Sequence, residues 1–306
     1  MTEFKFHHIP VMLYECIEGL DIKKDGVYVD GTLGGCGHSK HIVKNGGKVI
    51  GIDRDMTAIN NAANILPEAI TVHDNYSNIK NILKQLNIES IDGALLDLGV
   101  SSYQLDTPER GFSYRYDAPL DMRMDTSKGI TAYDIVNDYA KEELESIFFR
   151  YGEEQYSRAI AARIDERRKI SPIKTTLELA DIIKYAIPPK ARRDKHPAKK
   201  VFQAIRIEVN GELEVLEQTV EDFCDVLKPG GRLAIITFHS LEDRVIKNTF
   251  NKLAKGCVCP PDFPICVCGN KPKAELLSRK PILPSEEELE TNPRSASAKL
   301  RVLIKK

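Results

Sequence analysis

Short apolar runs alternate with amphipathic stretches through the first hundred residues of this 306-residue chain. Patterns of helical period at 56–66 and 78–86 separate the later runs. Repeated strand-helix alternation predicts a parallel sheet joined by right-handed crossovers. The strand-like runs are VYVDGT at 27–32, KVIGID at 48–53, AITVHD at 69–74 and IDGALLDLG at 91–99.

The alternation then stops for about a hundred residues. From Thr107 the chain is polar and contains prolines, and helical patterns without strand patterns follow at 132–151, 155–169 and 176–186. Apolar positions at steps of three and four over 202–227 then predict one helix, ended by LKPGG. The strand RLAIITF at 232–238 resumes the sheet.

This order predicts an α/β fold with a discontinuous core and an inserted helical domain. We assign residues 1–106 and 202–306 to the core and residues 107–201 to the insertion, which we expect to recognise the substrate. The terminal runs SRKPILP at 278–284 and SAKLRVLIK at 297–305 predict two further strands closing an edge.

Composition indicates the cellular compartment in which we expect the protein. A hydrophobic fraction of 42% supports a full core, and the chain contains neither a signal-peptide pattern nor an apolar run long enough to span a bilayer. Seven cysteines, an odd and unevenly spread number, fit a reducing compartment. We therefore expect a cytoplasmic protein with no membrane partner.

Charge gives no global reason to expect nucleic acid, because the net charge is −1. Residues 190–200, KARRDKHPAKK, nevertheless contain six basic residues and one acid, and a cluster can bind phosphates without reading sequence. A solvated helix end is the alternative. The RNA-binding candidates are Arg192, Arg193, Lys199 and Lys200, with Arg163, Arg167 and Arg168 elsewhere in the insertion.

A glycine-rich turn follows the first strand. Glycines at 31, 34, 35 and 37 would let the backbone approach a ligand, and Asp53 ends the next strand, where an acid can accept hydrogen bonds from ribose hydroxyls. The dinucleotide fingerprint fails because Lys40 stands at its third glycine position. A turn around Gly35 without a phosphate cradle indicates S-adenosylmethionine, and it argues against a nicotinamide-dependent oxidoreductase.

Ligands of open α/β sheets lie beyond the carboxyl ends of the strands, so strand-end residues are candidates. Asp30 could anchor the methionine amine of the cofactor or cap the turn. Tyr76 could pack on adenine or be an ordinary half-buried tyrosine. Asp97 could orient an acceptor amine or cap a turn, and Ser101, Ser102 and Gln104 offer polar groups at the same rim.

His239 follows the strand RLAIITF. It could bind phosphate or a base, or be a satisfied turn histidine. The following Ser240 and Asp243 have the spacing of a helix N-cap pair.

Two C-x-C pairs lie close together, and their four thiols could hold a tetrahedral zinc ion or form a reduced hairpin of uncoordinated thiols. They are Cys257, Cys259, Cys266 and Cys268. A covalent route through the other cysteines is not indicated, because Cys16, Cys36 and Cys224 lie in segments unlike an acceptor pocket.

Segments over nearly the whole chain resemble one family, the bacterial ribosomal RNA small-subunit methyltransferases H, also called MraW. The matching segments are HIPVML at 8–13, DGTLGGCGHS at 30–39, IDRD at 52–55, LLDLGVSSYQLD at 95–106, RGFSYRYDAPLDMRMD at 110–125, HPAKKVFQAIRIEVNGEL at 196–213, LKPGGRLAIITFHSLEDR at 227–244 and NPRSASAKLR at 292–301.

The resemblance implies a class I methyltransferase, with an antiparallel edge to its sheet, that uses S-adenosylmethionine to methylate the exocyclic N4 of a cytidine in the decoding region of 16S ribosomal RNA. The small ribosomal subunit would be the partner, and a homodimer is compatible with this interpretation. The family's cofactor contacts fall on Cys36, Gly37, His38, Asp53, Tyr76, Asp97 and Gln104.

Catalysis is expected to be direct in-line transfer, with Asp97, Ser101, Ser102 and His239 as candidate catalytic residues. DLGVSS replaces the Asp/Asn/Ser-Pro-Pro-aromatic loop of DNA amino-methyltransferases, so the group that orients N4 is not defined by that comparison. A catalytically silent ribosome assembly factor with the same fold is the alternative.

Overall fold

The computed structural model describes residues 10–192, 196–257, 259, 263, 265 and 267–306. The chain forms two compact units. The first contains the residues through Gly99 together with Leu213–Lys306, and the second is Val100–Glu212. The predicted insertion, residues 107–201, lies wholly within the second unit.

The first unit contains a seven-stranded sheet of order β3-β2-β1-β4-β5-β7-β6. β1 to β5 are parallel, whereas β7 runs antiparallel to both β5 and β6. The mostly parallel α/β class predicted from the sequence is confirmed. The strands are β1 (Val27–Asp30), β2 (Lys48–Asp53), β3 (Ile70–His73), β4 (Ile91–Asp97), β5 (Leu227–Thr237), β6 (Ala274–Leu276) and β7 (Lys299–Lys305).

Helices connect the strands of the first unit and build most of the second. In chain order the described α-helices are α1 (Leu13–Leu20), α2 (Gly37–Lys44), α3 (Met56–Ile65), α4 (Ile79–Gln85), α5 (Ser102–Asp106), α6 (Ala132–Asp138), α7 (Lys141–Gly152), α8 (Ser157–Arg168), α9 (Thr176–Ala186), α10 (Ala198–Asn210), α11 (Leu216–Val226), α12 (Ser240–Ala254) and α13 (Glu286–Thr291). None of the helices in the described ranges is long and apolar enough to cross a membrane.

The central strands are apolar on both faces because helices cover both sides of a parallel sheet. Successive residues of β4 show this arrangement, since side chains alternate between faces. Leu95 packs with α1 residues such as Cys16 and Leu20. Leu96 packs in a separate cluster with α11 residues such as Phe223.

The second unit has its own core, formed by one face of each of its longer helices. Asn210, at the end of α10, ties the irregular segment before α6 to this core. Its side-chain amide donates to the carbonyl of Met122 at 2.8 Å, and its side-chain oxygen accepts from the amide of Met124 at 2.8 Å. The core residues include Phe148, Ile164, Ile183, Phe202 and Ile205.

Several predicted boundaries are wrong where one residue redirects the chain. The single helix expected over 202–227 is two helices, because Gly211 adopts a left-handed φ of +59° and ends α10. The residues LKPGG do not separate a helix from a strand but form the start of β5. The single helix expected over 132–151 is divided into α6 and α7, which begin at separate caps.

The end of the sheet also differs from the prediction. The edge strand is the three-residue β6, whereas SRKPILP contributes only an isolated bridge between Ile282 and Leu300. The antiparallel strand β7 is therefore second from the edge. The sequence analysis also missed α1, which contributes three buried residues.

Candidate functional site

Three carboxylates lie at the carboxyl ends of neighbouring strands. Asp30 ends β1, Asp53 ends β2 and Asp97 ends β4, and β1 lies between the other two strands. Ligands of doubly wound sheets bind beyond this edge. The sequence prediction that these strand ends share one edge is therefore met by the geometry.

Asp53 is held in place by backbone amides. Its Oδ2 accepts from the amide of Gly34 at 2.8 Å, and its Oδ1 accepts from the amide of Asp55 at 2.8 Å. Burial raises the pKa of Asp53 to about 6, although these two hydrogen bonds lower it. Because an ionised carboxylate has about four acceptor positions, both oxygens can still accept from ligand hydroxyls.

Asp97 differs because its Oδ1 is buried and has no hydrogen-bond partner among the described residues. Burial, together with the charges of Asp30 and Glu242, raises the pKa of Asp97 to about 8. Its backbone amide donates to the hydroxyl of Thr32 at 2.7 Å, which fixes the end of β4. A buried, unpartnered carboxylate is costly, and it is a natural partner for a ligand cation.

Both carboxylate oxygens of Asp30 accept hydrogen bonds from the protein itself. Its Oδ2 accepts from the hydroxyl of Ser39 at 2.6 Å, and its Oδ1 accepts from the amide of Thr32 at 3.2 Å. Burial raises its pKa, while these bonds lower it. Of the two roles considered for Asp30, the geometry favours holding the turn.

The glycine turn is packed against the protein itself at two positions. A Cβ on Gly31 would clash with Cδ2 of Leu96, and one on Gly37 would clash with Cγ of Pro10. Internal packing alone therefore requires glycine at these positions, and the ligand approach expected from the sequence stays a prediction. Gly35 lies in the same turn, between Gly34 with φ +45° and Cys36 with φ +60°.

The N-terminus of α2 presents backbone amides at this turn. Cys36 is the N-cap residue and makes no side-chain cap bond, so the first amides of α2, from Gly37 and His38, are not capped by it. His38 is buried, and burial lowers its pKa to about 4, so the ring is neutral. Its Nε2 lies 3.0 Å from the carbonyl of Val11 and donates to it.

Tyr76 lies just beyond β3, in a single 3₁₀ turn, Tyr76–Asn78. It is half-buried, and its Cβ lies 3.1 Å from the position of a Cβ on Gly31. Its placement is compatible with both roles considered from the sequence, contact with adenine and ordinary packing.

Three predicted site residues belong to the second unit. Ser101 and Gln104 form a capping box at the start of α5, in which the Ser101 amide donates to Gln104 Oε1 at 3.0 Å and the Gln104 amide donates to Ser101 Oγ at 3.2 Å. Ser102 is the first residue of α5. This geometry gives Ser101 and Gln104 a local structural role that the sequence analysis missed.

His239 is the N-cap of α12, so the predicted cap at Ser240 is wrong. Its Nδ1 accepts from the Glu242 amide at 3.4 Å, and its Nε2 lies 3.0 Å from Glu242 Oε1 without hydrogen-bond alignment. Asp243 does not pair with Ser240 at the cap, because its carboxylate binds Arg301 at 2.7 Å and Lys299 at 3.1 Å. The buried Glu242 was not found from the sequence, because a charged first-turn residue ordinarily faces solvent.

Some basic residues of the second unit form hydrogen bonds or ion pairs within the protein, and others are exposed to solvent. Arg192 donates to the carbonyl of Ile187 at 2.8 Å and is half-buried, and Arg193 lies outside the described residues. Lys199 and Lys200 are exposed, although Lys200 Nζ lies 2.7 Å from the carbonyl of Glu153.

Three of the four arginines of α8 each pair with an acid within the second unit. Arg163 lies 3.7 Å from Glu166, Arg167 lies 2.8 Å from Glu178, and Arg168 lies 2.9 Å from Asp165. Their charges are partly neutralised, so they add less to a phosphate-binding surface than expected from the sequence.

The sheet order, the turn after β1 and the strand-end acids define the class: a class I methyltransferase-type α/β fold. Residues 5–306 match the model of the MraW methylase family, and the chain belongs to that family.

Two relatives of high identity agree with this assignment. The chain is 56% identical to a Ribosomal RNA small subunit methyltransferase H of Clostridium botulinum (strain Loch Maree / Type A3), over 98% of this chain and 99% of the relative. It is 52% identical to a protein of the same name from Brevibacillus brevis, over the full length of both. A solved rRNA methylase from Streptococcus thermophilus aligns over 98% of each chain at 12% identity, with a TM-score of 0.41.

Replacing Asp97 by asparagine should stabilise the free protein, and increasingly so at higher pH. The folded pKa of about 8 lies above the ordinary value of 3.8, so the folded state binds more protons than the unfolded state between these values. The free energy of unfolding of the wild type therefore falls as pH rises through this window. Asp97→Asn has no ionisable carboxyl at this position, so its free energy of unfolding does not show this decrease. We expect the gain to grow by about 1 kcal/mol per pH unit between pH 5 and 8, measured by calorimetry.

The matched control is Asp117→Asn, at an exposed position. Its melting temperature should follow the wild-type value across pH. A constant difference between Asp97→Asn and the wild type from pH 5 to 8.5 would contradict the elevated pKa.

Proposed function

We propose that the protein transfers a methyl group from S-adenosylmethionine to the ribosomal RNA of the small subunit, at the exocyclic N4 of a cytidine in the decoding region of 16S ribosomal RNA. The family membership supports RNA methylation as the reaction. The single observation in the structure that carries the cofactor assignment is the buried, unpartnered Oδ1 of Asp97, at the same sheet edge as the glycine turn and Asp53.

The strand-end residues fit the chemical groups of this cofactor. The ammonium of its methionine part would pair with Asp97, and its ribose hydroxyls would donate to Asp53. Its carboxylate would accept hydrogen bonds from the backbone amides of Gly37 and His38. The helix dipole favours a negative charge at this end of α2. The adenine would lie against Tyr76.

S-adenosylmethionine, when bound, supplies a methyl group already activated by a sulfonium. The protein's contribution is then to bind, orient and exclude water, because alignment of the reacting atoms can supply much of the rate enhancement. Asp97 would ionise on binding a cation, since an opposite charge within a few ångströms lowers a carboxyl pKa. An ionised Asp97 can also accept a hydrogen bond from the acceptor amine and turn its lone pair toward the methyl group.

His239, Ser101 and Ser102 stay predictions as catalytic residues, and Gln104 stays one as a cofactor contact. His239, Ser101 and Gln104 also cap helices in the structure. A loss of activity on substituting one of them should therefore be compared with the stability of the same variant. The domain that would recognise RNA is the insertion, residues 107–201. A base acted on at N4 must leave its stack, and backbone contacts around it would hold the RNA.

The reaction is tested by transferring labelled methyl from S-adenosylmethionine to small subunits isolated from cells that lack this protein. Nucleoside mass spectrometry should find N4-methylcytidine at one position, and Asp97→Ala should abolish the transfer. Label at a different atom or nucleotide would contradict the N4 assignment. Tight cofactor binding with no transfer to any subunit preparation would instead favour a catalytically silent assembly factor.

The exposed lysines at the start of α10 give a prediction for RNA binding. Lys199→Ala combined with Lys200→Ala should weaken RNA binding several-fold and reduce the slope of log affinity against log salt by about 1–2, because fewer counterions are released. Cofactor affinity should not change. Lys141→Ala, an exposed lysine on α7 outside the basic run, is the control, and equal affinities and slopes in all three proteins would refute this RNA-binding surface.

A further inference from the structure

Between α12 and β6 the structure describes two arms, residues 255–257 with Cys259 and residues 267–273, and these arms are fastened to each other at the base. The amide of Lys273 donates to the carbonyl of Leu253 at 2.9 Å. The side-chain amide of Asn270 donates to the carbonyls of Lys255 at 3.1 Å and Gly256 at 2.6 Å. The arm that leaves α12 and the arm that approaches β6 are therefore held side by side.

Three thiols from the two arms meet just beyond this base. The Sγ atoms of Cys257, Cys259 and Cys268 all lie within 4.8 Å of one another. The sulfurs of Cys257 and Cys268 are 3.7 Å apart. Two thiolates at about 2.3 Å from a tetrahedral zinc ion stand about 3.8 Å apart, so this separation is the one that a shared zinc ion requires.

Backbone amides point at two of these sulfurs. The amide of Val267 donates to Cys259 Sγ at 3.4 Å, and the amide of Asn270 donates to Cys268 Sγ at 3.5 Å. Hydrogen bonds to the charged form of a group favour that form, and the thiolate is the form that binds metal. Donors of this kind also orient the ligand atoms around a metal.

We propose that Cys257, Cys259 and Cys268 bind one zinc ion that joins the two arms of this loop. Three sulfur ligands select a thiophilic ion over magnesium or calcium, which prefer oxygen. Of the two alternatives raised by the sequence, the geometry thus favours metal over uncoordinated thiols. Cys266, the fourth cysteine of the run, lies outside the described residues.

The zinc ion has a structural role. None of the three cysteines is among the residues proposed to bind cofactor, and the loop ends at the edge strand β6. β6 is only three residues long and pairs in the sheet with β7, so few backbone hydrogen bonds hold it. A metal ion that closes the loop before β6 reduces the conformational freedom of this edge strand.

The test measures metal directly, on tag-free full-length protein purified under reducing conditions without chelator. Elemental analysis should find about one zinc per chain, as a single site shared by the three cysteines requires. Cys257→Ser and Cys268→Ser should each reduce zinc at least tenfold, since removing one thiolate weakens the site strongly. Both side chains are exposed, so serine there leaves the core intact. Cys224→Ala removes a buried thiol elsewhere and should retain full zinc.

Cobalt provides a second readout that does not depend on purification history. Titration of Co²⁺ into metal-free protein should give thiolate-to-cobalt charge transfer and the intense visible bands of tetrahedral coordination, in the wild type and Cys224→Ala but not in Cys257→Ser or Cys268→Ser. Substoichiometric zinc together with absent cobalt bands in the wild type would overturn the proposal. Equal zinc in the wild type and both serine variants would overturn it as well.

Discussion

The structure depends on the placement of three carboxylates at one end of a parallel sheet. Removing a carboxylate from water is costly unless donors replace the water. Asp30 and Asp53 receive such donors from the turn that follows β1 and from α2: Thr32 and Ser39 donate to Asp30, and Gly34 donates to Asp53. Asp97 does not receive one at its buried oxygen. The free protein therefore keeps an unfavourable site that a cationic ligand group would relieve.

The turn after β1 satisfies two demands at once. It supplies the donors that hold Asp30 and Asp53, and it lets the segment before α1 pack close to the start of α2, where Pro10 occupies the space of a Cβ on Gly37. His38 completes this contact through the carbonyl of Val11, and it does so as a neutral ring. The first amides of α2 are thereby fixed in direction before any ligand binds, which lowers the entropy cost of binding.

Much of the fold could be predicted because its signals are local. The apolar runs that became β1, β2, β4 and β5 and the alternation with helices follow directly from burial on both faces of the sheet. The predictions failed where distant partners decide the structure. β6 is a strand because β7 lies beside it, and Asp243 turns away from the helix cap because β7 places Arg301 and Lys299 next to it.

The candidate site shows the same division. Residue types at strand ends identified Asp30, Asp53 and Asp97 from the sequence, because topology brings those ends together. Their separate roles depend on which donors reach each oxygen, and no sequence pattern contains that information. Glu242 is the clearest omission. Its spacing after His239 indicates an exposed helix start, whereas the fold buries it and turns its carboxylate back to the amides of Phe238 and His239.

The most direct test of this account is the pKa of the Asp97 carboxyl, measured by carbon-13 NMR with Asp97→Asn to assign the resonance. In the free protein it should titrate near pH 8. On saturation with S-adenosylmethionine it should fall by about 3 units or more, because an ammonium would then pair with the carboxylate. An ordinary value of about 4 in the free protein, or a value unchanged by the cofactor, would contradict the central claim.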